Sequence, residues 1–279
     1  MSNDEKSVRA NGVDLCVETF GDVKDPAIVL VHGAAASMLW WEAALCERIA
    51  ARDRFVIRFD NRDTGRSVTY PTGRPGYSLR DMTEDVLGIL DVLGIEQAHL
   101  VGRSMAGAII SLAGIDYADR VASLTFVSTT PGGDGLPPMS DEFMEYTSRS
   151  PDPSDTRAVV EFITGLMKVY SGGSPYHDER AVRAIAEADV ARATNIGSTL
   201  ANHFMIDFDG PDKGGLDDIA VPTLVVHGER DPVFPLPHGQ ALRDQVPGAE
   251  LLVMAKAGHE LPEPLWDLFV DALVQHTTR

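Results

Sequence analysis

Ala98-His99-Leu100-Val101-Gly102-Arg103-Ser104-Met105-Ala106-Gly107 is the stretch on which the reading of this chain turns. AHLVG at 98–102 is a short apolar run of the kind that forms a buried strand. From Met105 to Tyr117 the apolar positions recur at helical spacing. Ser104 therefore stands on a tight strand-to-helix turn, which lifts its hydroxyl out of both elements. Such a turn brings strand and helix backbones together, so the residues two places either side of the serine must be small. Gly102 and Ala106 meet that need, although the strict pattern has glycine where Ala106 stands. The plainer alternative is a serine that only caps the following helix. The strand before it and the helix after it favour an exposed nucleophile.

The alternation continues on both sides. VDLCVET at 13–19 alternates like a half-exposed strand, AIVLV at 27–31 reads as a strand buried on both faces, and RFVIRFD at 54–60 as the next. Residues 39–51 read as a helix. A second helix over 78–93 has Ser78 as its N-cap and Gly94 just past its end. SLTFVS at 123–128 is a strand. From Val221 onward TLVVHG, PLPHGQALRDQV, AELLVMA and LPEPLWDLFVDALVQHT read as strand, helix, strand and terminal helix. Strands joined by such helices predict a mostly parallel twisted sheet with right-handed crossovers. Between Thr129 and about Asp218 no strand is convincing; Pro, Gly, Ser and Asp punctuate helical stretches instead. The expected organisation is an α/β core over 1–131 and 217–279, with a helical lid over 132–216. A lid there would cover the carboxyl ends of the strands, where open α/β sheets place their ligands.

Length and composition narrow the classes. The 279 residues suffice for one α/β domain that buries roughly three quarters of its extended surface. With 44% hydrophobic and 24% charged residues the chain is of ordinary globular type. Its formal net charge of −18 disfavours nucleic-acid and membrane-surface partners. No apolar run approaches the length of a membrane span. MSNDEKSVRANGV has no apolar segment typical of a secretory leader. Cys16 and Cys46 are too few for a disulfide framework and suit two reduced thiols in the cytoplasm.

A serine hydroxyl is a weak nucleophile; it needs a base, and the base needs a carboxylate to orient it. His259, in AKAGHELP after the last predicted strand, is the best-placed base among eight histidines. Asp231, in HGERDPVFP after the TLVVHG strand, is the expected acid, with Glu229 as its nearest rival. A tetrahedral intermediate also needs two N–H groups aimed at its oxyanion. The amide of Met105, next to the serine, and that of Ala34, in the loop after AIVLV, are the candidates. His32 is expected to brace that loop through hydrogen bonds of its imidazole. The charged run Asp60–Ser67 has two aspartates and no histidine, a poor metal set, and reads as a loop held by arginine–carboxylate bonds. No metal or organic cofactor is called for.

Taken in order, VHGAAAS (31–37), DNRDTGRS (60–67), GRSMAG (102–107), HGERDPVFP (227–235) and AGHELP (257–262) resemble the marker segments of α/β-hydrolase fold serine hydrolases. The resemblance covers nearly the whole chain and is weakest over 130–218. More narrowly, NRDTGRS and DPVFPLPHGQAL followed by AGHELP resemble the aclacinomycin methylesterase group, which removes a methyl ester from an anthracycline aglycone. The resemblance implies Ser104 as nucleophile, Asp231 as acid and His259 as base, with Ala34 and Met105 forming the oxyanion hole. Arg103 departs from the pattern, because the position beside the nucleophile is often uncharged; that bears on the substrate rather than the fold.

The expected activity is hydrolysis of a small-molecule carboxylic ester through an acyl-enzyme. Trp40, Phe143, Met144, Phe162, Met167 and Phe204 are the candidate substrate-binding residues, although ordinary packing accounts for the insertion's methionines and aromatics equally well. The same residues could cleave lactones, amides or carbon–carbon bonds, or support perhydrolase or haloperoxidase-type chemistry without a cofactor. Serine at position 104 argues against an aspartate-nucleophile relative. A non-catalytic small-molecule binder on the same fold is the rival of a different class. Oligomeric state is not legible.

Overall fold

A computed structural model describes residues 5–278; the expectation of a leaderless N-terminus falls partly outside them. Eight strands form one sheet: β1 (Lys6–Ala10), β2 (Val13–Phe20), β3 (Ala27–Val31), β4 (Phe55–Phe59), β5 (Ala98–Arg103), β6 (Val121–Val127), β7 (Thr223–Gly228) and β8 (Glu250–Met254). Their order across the sheet is β1-β2-β4-β3-β5-β6-β7-β8. The β1–β2 and β2–β4 pairs are antiparallel, and every later pair is parallel. Every residue of β3, β4, β5 and β7 is buried, as strands covered on both faces require.

Alternate strand residues point to opposite faces, and helices cover both. On one side Val29, Val31 and Leu100 pack with α2 (Leu79–Leu93), α3 (Ala106–Asp116) and α8 (Pro237–Gln245). On the other side Ile28, Leu30 and Val101 pack with α1 (Ala43–Ala50) and α9 (Trp266–His276). Ser78 caps α2 in a reciprocal box with Asp81, and Gly94 ends it in the left-handed conformation at φ 70°. This is an α/β-hydrolase fold: a mostly parallel twisted sheet flanked by helices, with a helical insertion between β6 and β7.

Two local expectations differ from what is found. The helix read over 39–51 is broken into a 3-10 turn at Met38–Trp40 and α1. Trp41 lies between them in a non-helical conformation, fully buried against Phe269, with its carbonyl accepting from Arg58. Tertiary packing overrides the helical spacing there. Strand β1 lies outside the strands that the sequence pattern predicts. It is an edge strand joined to β2 by an Asn11-Gly12 turn, both residues at positive φ.

The insertion consists of α4 (Asp141–Thr147), α5 (Thr156–Tyr170), α6 (Glu179–Arg192) and α7 (Ile196–Ala201). Val159, Val160 and Ile163 of α5 pack against Ala186 and Val190 of α6. Asn195 and Asp178 cap the helices they precede, which accounts for the polar punctuation between them. Among the described residues no helix is long and apolar enough to cross a membrane.

Candidate active site

Ser104 sits between β5 and α3 with φ at 54°, a left-handed conformation that costs a non-glycine residue free energy. Its neighbourhood holds it there. Its N–H donates to the Val127 carbonyl at 3.0 Å. Its own carbonyl accepts from the Thr129 hydroxyl at 2.7 Å. A Cβ on Gly102 would lie 2.5 Å from the Ala106 carbonyl oxygen, and one on Gly33 2.8 Å from the Ser104 Cβ. The small residues around the serine are therefore a steric necessity. The fully buried Ala106 shows that a methyl group fits where the strict pattern has glycine. The Met105 amide stands at the N-terminus of α3, the positive end of the helix dipole.

His259 lies in the loop between β8 and α9, and Asp231 in the loop after β7. The structure brings them together: His259 Nδ1 and Asp231 Oδ2 are 2.8 Å apart, and both side chains are buried. The other carboxylate oxygen, Oδ1, accepts the N–H groups of Val233 and Phe234 at 2.8 and 2.9 Å. Burial alone would raise the Asp231 pKa. The His259 charge and hydrogen bond, together with His227 and the Phe234 amide, hold it below the usual carboxylate range instead. Glu229 is turned away to accept the Lys256 N–H at 2.8 Å. His227 comes within 3.7 Å of Asp231, but its Nε2 is engaged with the Phe234 carbonyl at 2.6 Å and its ring is fully buried.

Tyr170 and Phe234, which the sequence did not mark, and Arg103, marked only as a departure from the family pattern, surround His259. Tyr170, the last residue of α5, accepts the His259 N–H on its carbonyl at 2.7 Å. Its ring meets the imidazole edge-on at 4.8 Å, and the Phe234 ring does so at 5.8 Å. Arg103 points beneath the histidine loop, where its Nη2 donates to the His259 carbonyl at 2.9 Å. The run Val159–Tyr170 and the HGERDPVFP segment contained the two rings; nothing in the sequence marked their contact with His259.

The loop after β3 is arranged differently from expectation. His32 does not brace it through its imidazole. Among the described residues neither ring nitrogen has a hydrogen-bond partner, and the ring packs edge-on to Trp41 at 6.0 Å. Burial pushes its pKa well down, and the nearby Arg103 charge adds to that. The ring is buried against Trp41 instead, and it is the His32 backbone carbonyl that accepts, from Asn61 Nδ2 at 2.8 Å. The brace is His203, from the insertion. Its Nδ1 accepts the Ala35 N–H at 3.1 Å, which leaves the proton on Nε2 to donate to the Arg62 carbonyl at 2.7 Å. Burial lowers the pKa of His203, in keeping with a neutral ring. The Ala35 amide is thus engaged, whereas Ala34 and Met105 are partly exposed.

The charged run that follows β4 is braced as a loop, with most partners outside it. Arg62 makes a two-point bond to Asp85. Asp60 meets Arg192 of α6 at 2.8 Å and accepts the Met38 N–H at 2.9 Å. Asp63 binds Tyr77 and Asn202.

The six expected substrate contacts have different surroundings. Phe143 is buried and stacks on Tyr170 at 5.7 Å, one ring away from His259. Trp40 packs on the α5–α6 core and donates its indole N–H to Asp189 at 2.8 Å. Phe162 packs on the same core and stacks on Tyr146. Met167 is half-buried, whereas Met144 and Phe204 are exposed at 55% and 69%.

Comparison with known proteins identifies the family. The sequence profile of the alpha/beta hydrolase fold family matches residues 26–263. Rhodomycin D methylesterase DauP of Streptomyces sp. (strain C5) is 29% identical, over 98% of this chain and 97% of its own length. Rhodomycin D methylesterase DnrP of Streptomyces peucetius is 28% identical, over 95% of each. Both are methylesterases, the class that the marker segments resembled. Among solved structures, the esterase EaEST from Exiguobacterium antarcticum superposes with a TM-score of 0.80 at 22% identity, covering 99% of this chain and all of that one. The profile match extends over most of the chain and takes in the elbow, the aspartate loop and the histidine loop, so the chain belongs to the alpha/beta hydrolase fold family.

Proposed function

We propose that this chain is a serine hydrolase that cleaves a carboxylic ester, with Ser104 as nucleophile, His259 as base and Asp231 as the orienting acid. The observation that carries the proposal is the 2.8 Å bond from a buried imidazole to a buried carboxylate, in a chain whose serine occupies a positive-φ elbow. His259 takes the proton as Ser104 Oγ attacks the ester carbonyl. Asp231 keeps Nδ1 protonated and Nε2 free, and it balances the charge the ring acquires. The amides of Met105 and Ala34 receive the oxyanion. The alcohol departs with the proton from His259, and water repeats the sequence on the acyl-serine, leaving a carboxylic acid.

The substrate we propose is the methyl ester of a polyketide or anthracycline-like small molecule, with methanol as the first product. The methylesterase relatives support this. Residues 132–216 act as the lid that shapes the acyl pocket. Two buried free cysteines fit a cytoplasmic setting.

The test is Ser104→Ala, which should lower turnover of an activated short-chain ester by about three orders of magnitude or more without unfolding the chain. Variant turnover close to that of the parent would overturn the assignment. Stoichiometric labelling of Ser104 by a fluorophosphonate, with burst release of product from an ester, separates an enzyme from a binding protein of the same fold. Comparing methyl esters of polycyclic acids with simple acyl esters then tests the substrate.

A further inference from the structure

Arg103 is the departure from the family pattern, and its surroundings give it work unrelated to substrate contact. The side chain is 7% exposed and lies under the histidine loop, with its Nη2 on the His259 carbonyl. Among the described residues it makes no ion pair. The next residue after His259 is Glu260, whose carboxyl is buried on the same loop. We propose that Arg103 and Glu260 are positioning residues of opposite sign that govern how readily His259 accepts a proton. The proposal rests on the reading of His259 as the base.

The physical argument is one of sign and distance. A guanidinium stays charged even where burial lowers its pKa, as it does for Arg103. Fixed to the carbonyl of residue 259, this cation opposes the positive charge the imidazole gains when it takes the serine proton. In a buried site such an interaction is weakly screened. Glu260, on the same loop, partly cancels Arg103 once it is ionised. Burial pushes its carboxyl up to about 7, with its own amide, the Arg103 charge and the Gly258 amide pulling the other way, so the cancellation sets in near neutrality. The remaining groups that face the imidazole are Asp231 and His227 from β7 and its loop, His32 from the end of β3, and Tyr170 from α5. Asp231 favours the imidazolium. Burial holds His227 and His32 below the usual histidine range and Tyr170 up at about 12, so none of the three adds charge at neutral pH. Arg103 is thus the cation set against Asp231.

The test uses the rate of Ser104 phosphonylation by a fluorophosphonate as a function of pH, which needs no knowledge of the substrate. In that reaction Ser104 Oγ displaces fluoride at phosphorus, and its proton goes to the imidazole. Arg103→Met should move the acid limb of the rate to higher pH by about one unit. Glu260→Gln should move it the opposite way by a smaller amount, because the carboxyl is only partly ionised there. Arg103→Lys keeps the charge and should leave the limb in place even where the maximal rate falls, which a purely structural role would not predict. If Arg103→Met does not fold, Glu260→Gln and Arg103→Lys still decide the sign. Limbs of Arg103→Met and Glu260→Gln that coincide with the parent, or move together, overturn the proposal. Loss of labelling in His259→Gln keeps the base assignment whatever the other variants do; undiminished labelling in His259→Gln overturns that assignment itself.

Discussion

The two loops that flank Ser104 are secured by different means. Besides the Arg103 bond to its carbonyl, the His259 loop is held mainly by main-chain contact: Tyr170 receives its amide, and a Cβ on Gly258 would lie 2.2 Å from the Tyr170 oxygen and 2.5 Å from the carbonyl carbon and oxygen of Ser171. The loop after β3 is held by buried polar side chains. His203 takes the Ala35 amide, Asn61 the His32 carbonyl, and Asp60 the Met38 amide while facing Arg192. Backbone pressed on backbone tolerates no added atom. A side-chain network tolerates a similar shape but not a lost partner, because the group left behind is buried and unpaired.

Gly258→Ala should therefore do the most damage. Moving the imidazole by even part of an ångström should lower kcat/KM about 100-fold, with a lower melting temperature alongside. An alanine variant with unchanged kinetics would break the contrast. Asp60→Asn keeps the shape but leaves Arg192 with Glu5 alone, and it should cost about 3 kcal/mol in urea unfolding. His203→Leu strands the Ala35 amide and the Arg62 carbonyl. It should cost about 2 kcal/mol and, through the loop, lower kcat more than it raises KM.

The smallest effect belongs to Glu260→Gln and depends on pH. The folded carboxyl titrates at about 7, above its ordinary 4.5. The proton is thus bound more tightly in the folded chain. The stability this gives is present below pH 4.5 and is lost as pH rises through about 7. Relative to the parent, the glutamine variant should gain about 3 °C in melting temperature between pH 4 and pH 9. A constant difference across that range would mean Glu260 does not titrate as placed.

What was legible in the sequence follows from how far each signal reaches. AIVLV and TLVVHG declared themselves as buried strands because the pattern is local, and Ser78 and Gly94 marked both ends of α2. Strand β1 carries only Val8 and Ala10 as inward apolar residues, so it has no pattern of its own; the Asn11-Gly12 turn was the signal to read. The break at Trp41 depends on a ring from α9 and an arginine from β4. The contacts that hold the site reach further still: Arg103 meets a carbonyl 156 residues away, and His203 an amide 168 residues away. Motif order pointed to a histidine and an aspartate that the structure joins, but no spacing rule reaches their supports.

The insertion is fastened on both flanks. At one end Tyr170 and Gly172 press on the His259 and Asp231 loops, and at the other Arg192 and Thr194 grip the segment after β4. Anchored at both ends, the insertion and the His259 loop form one mechanical unit: a shift of the last turn of α5 is passed directly to the imidazole through the Tyr170 carbonyl.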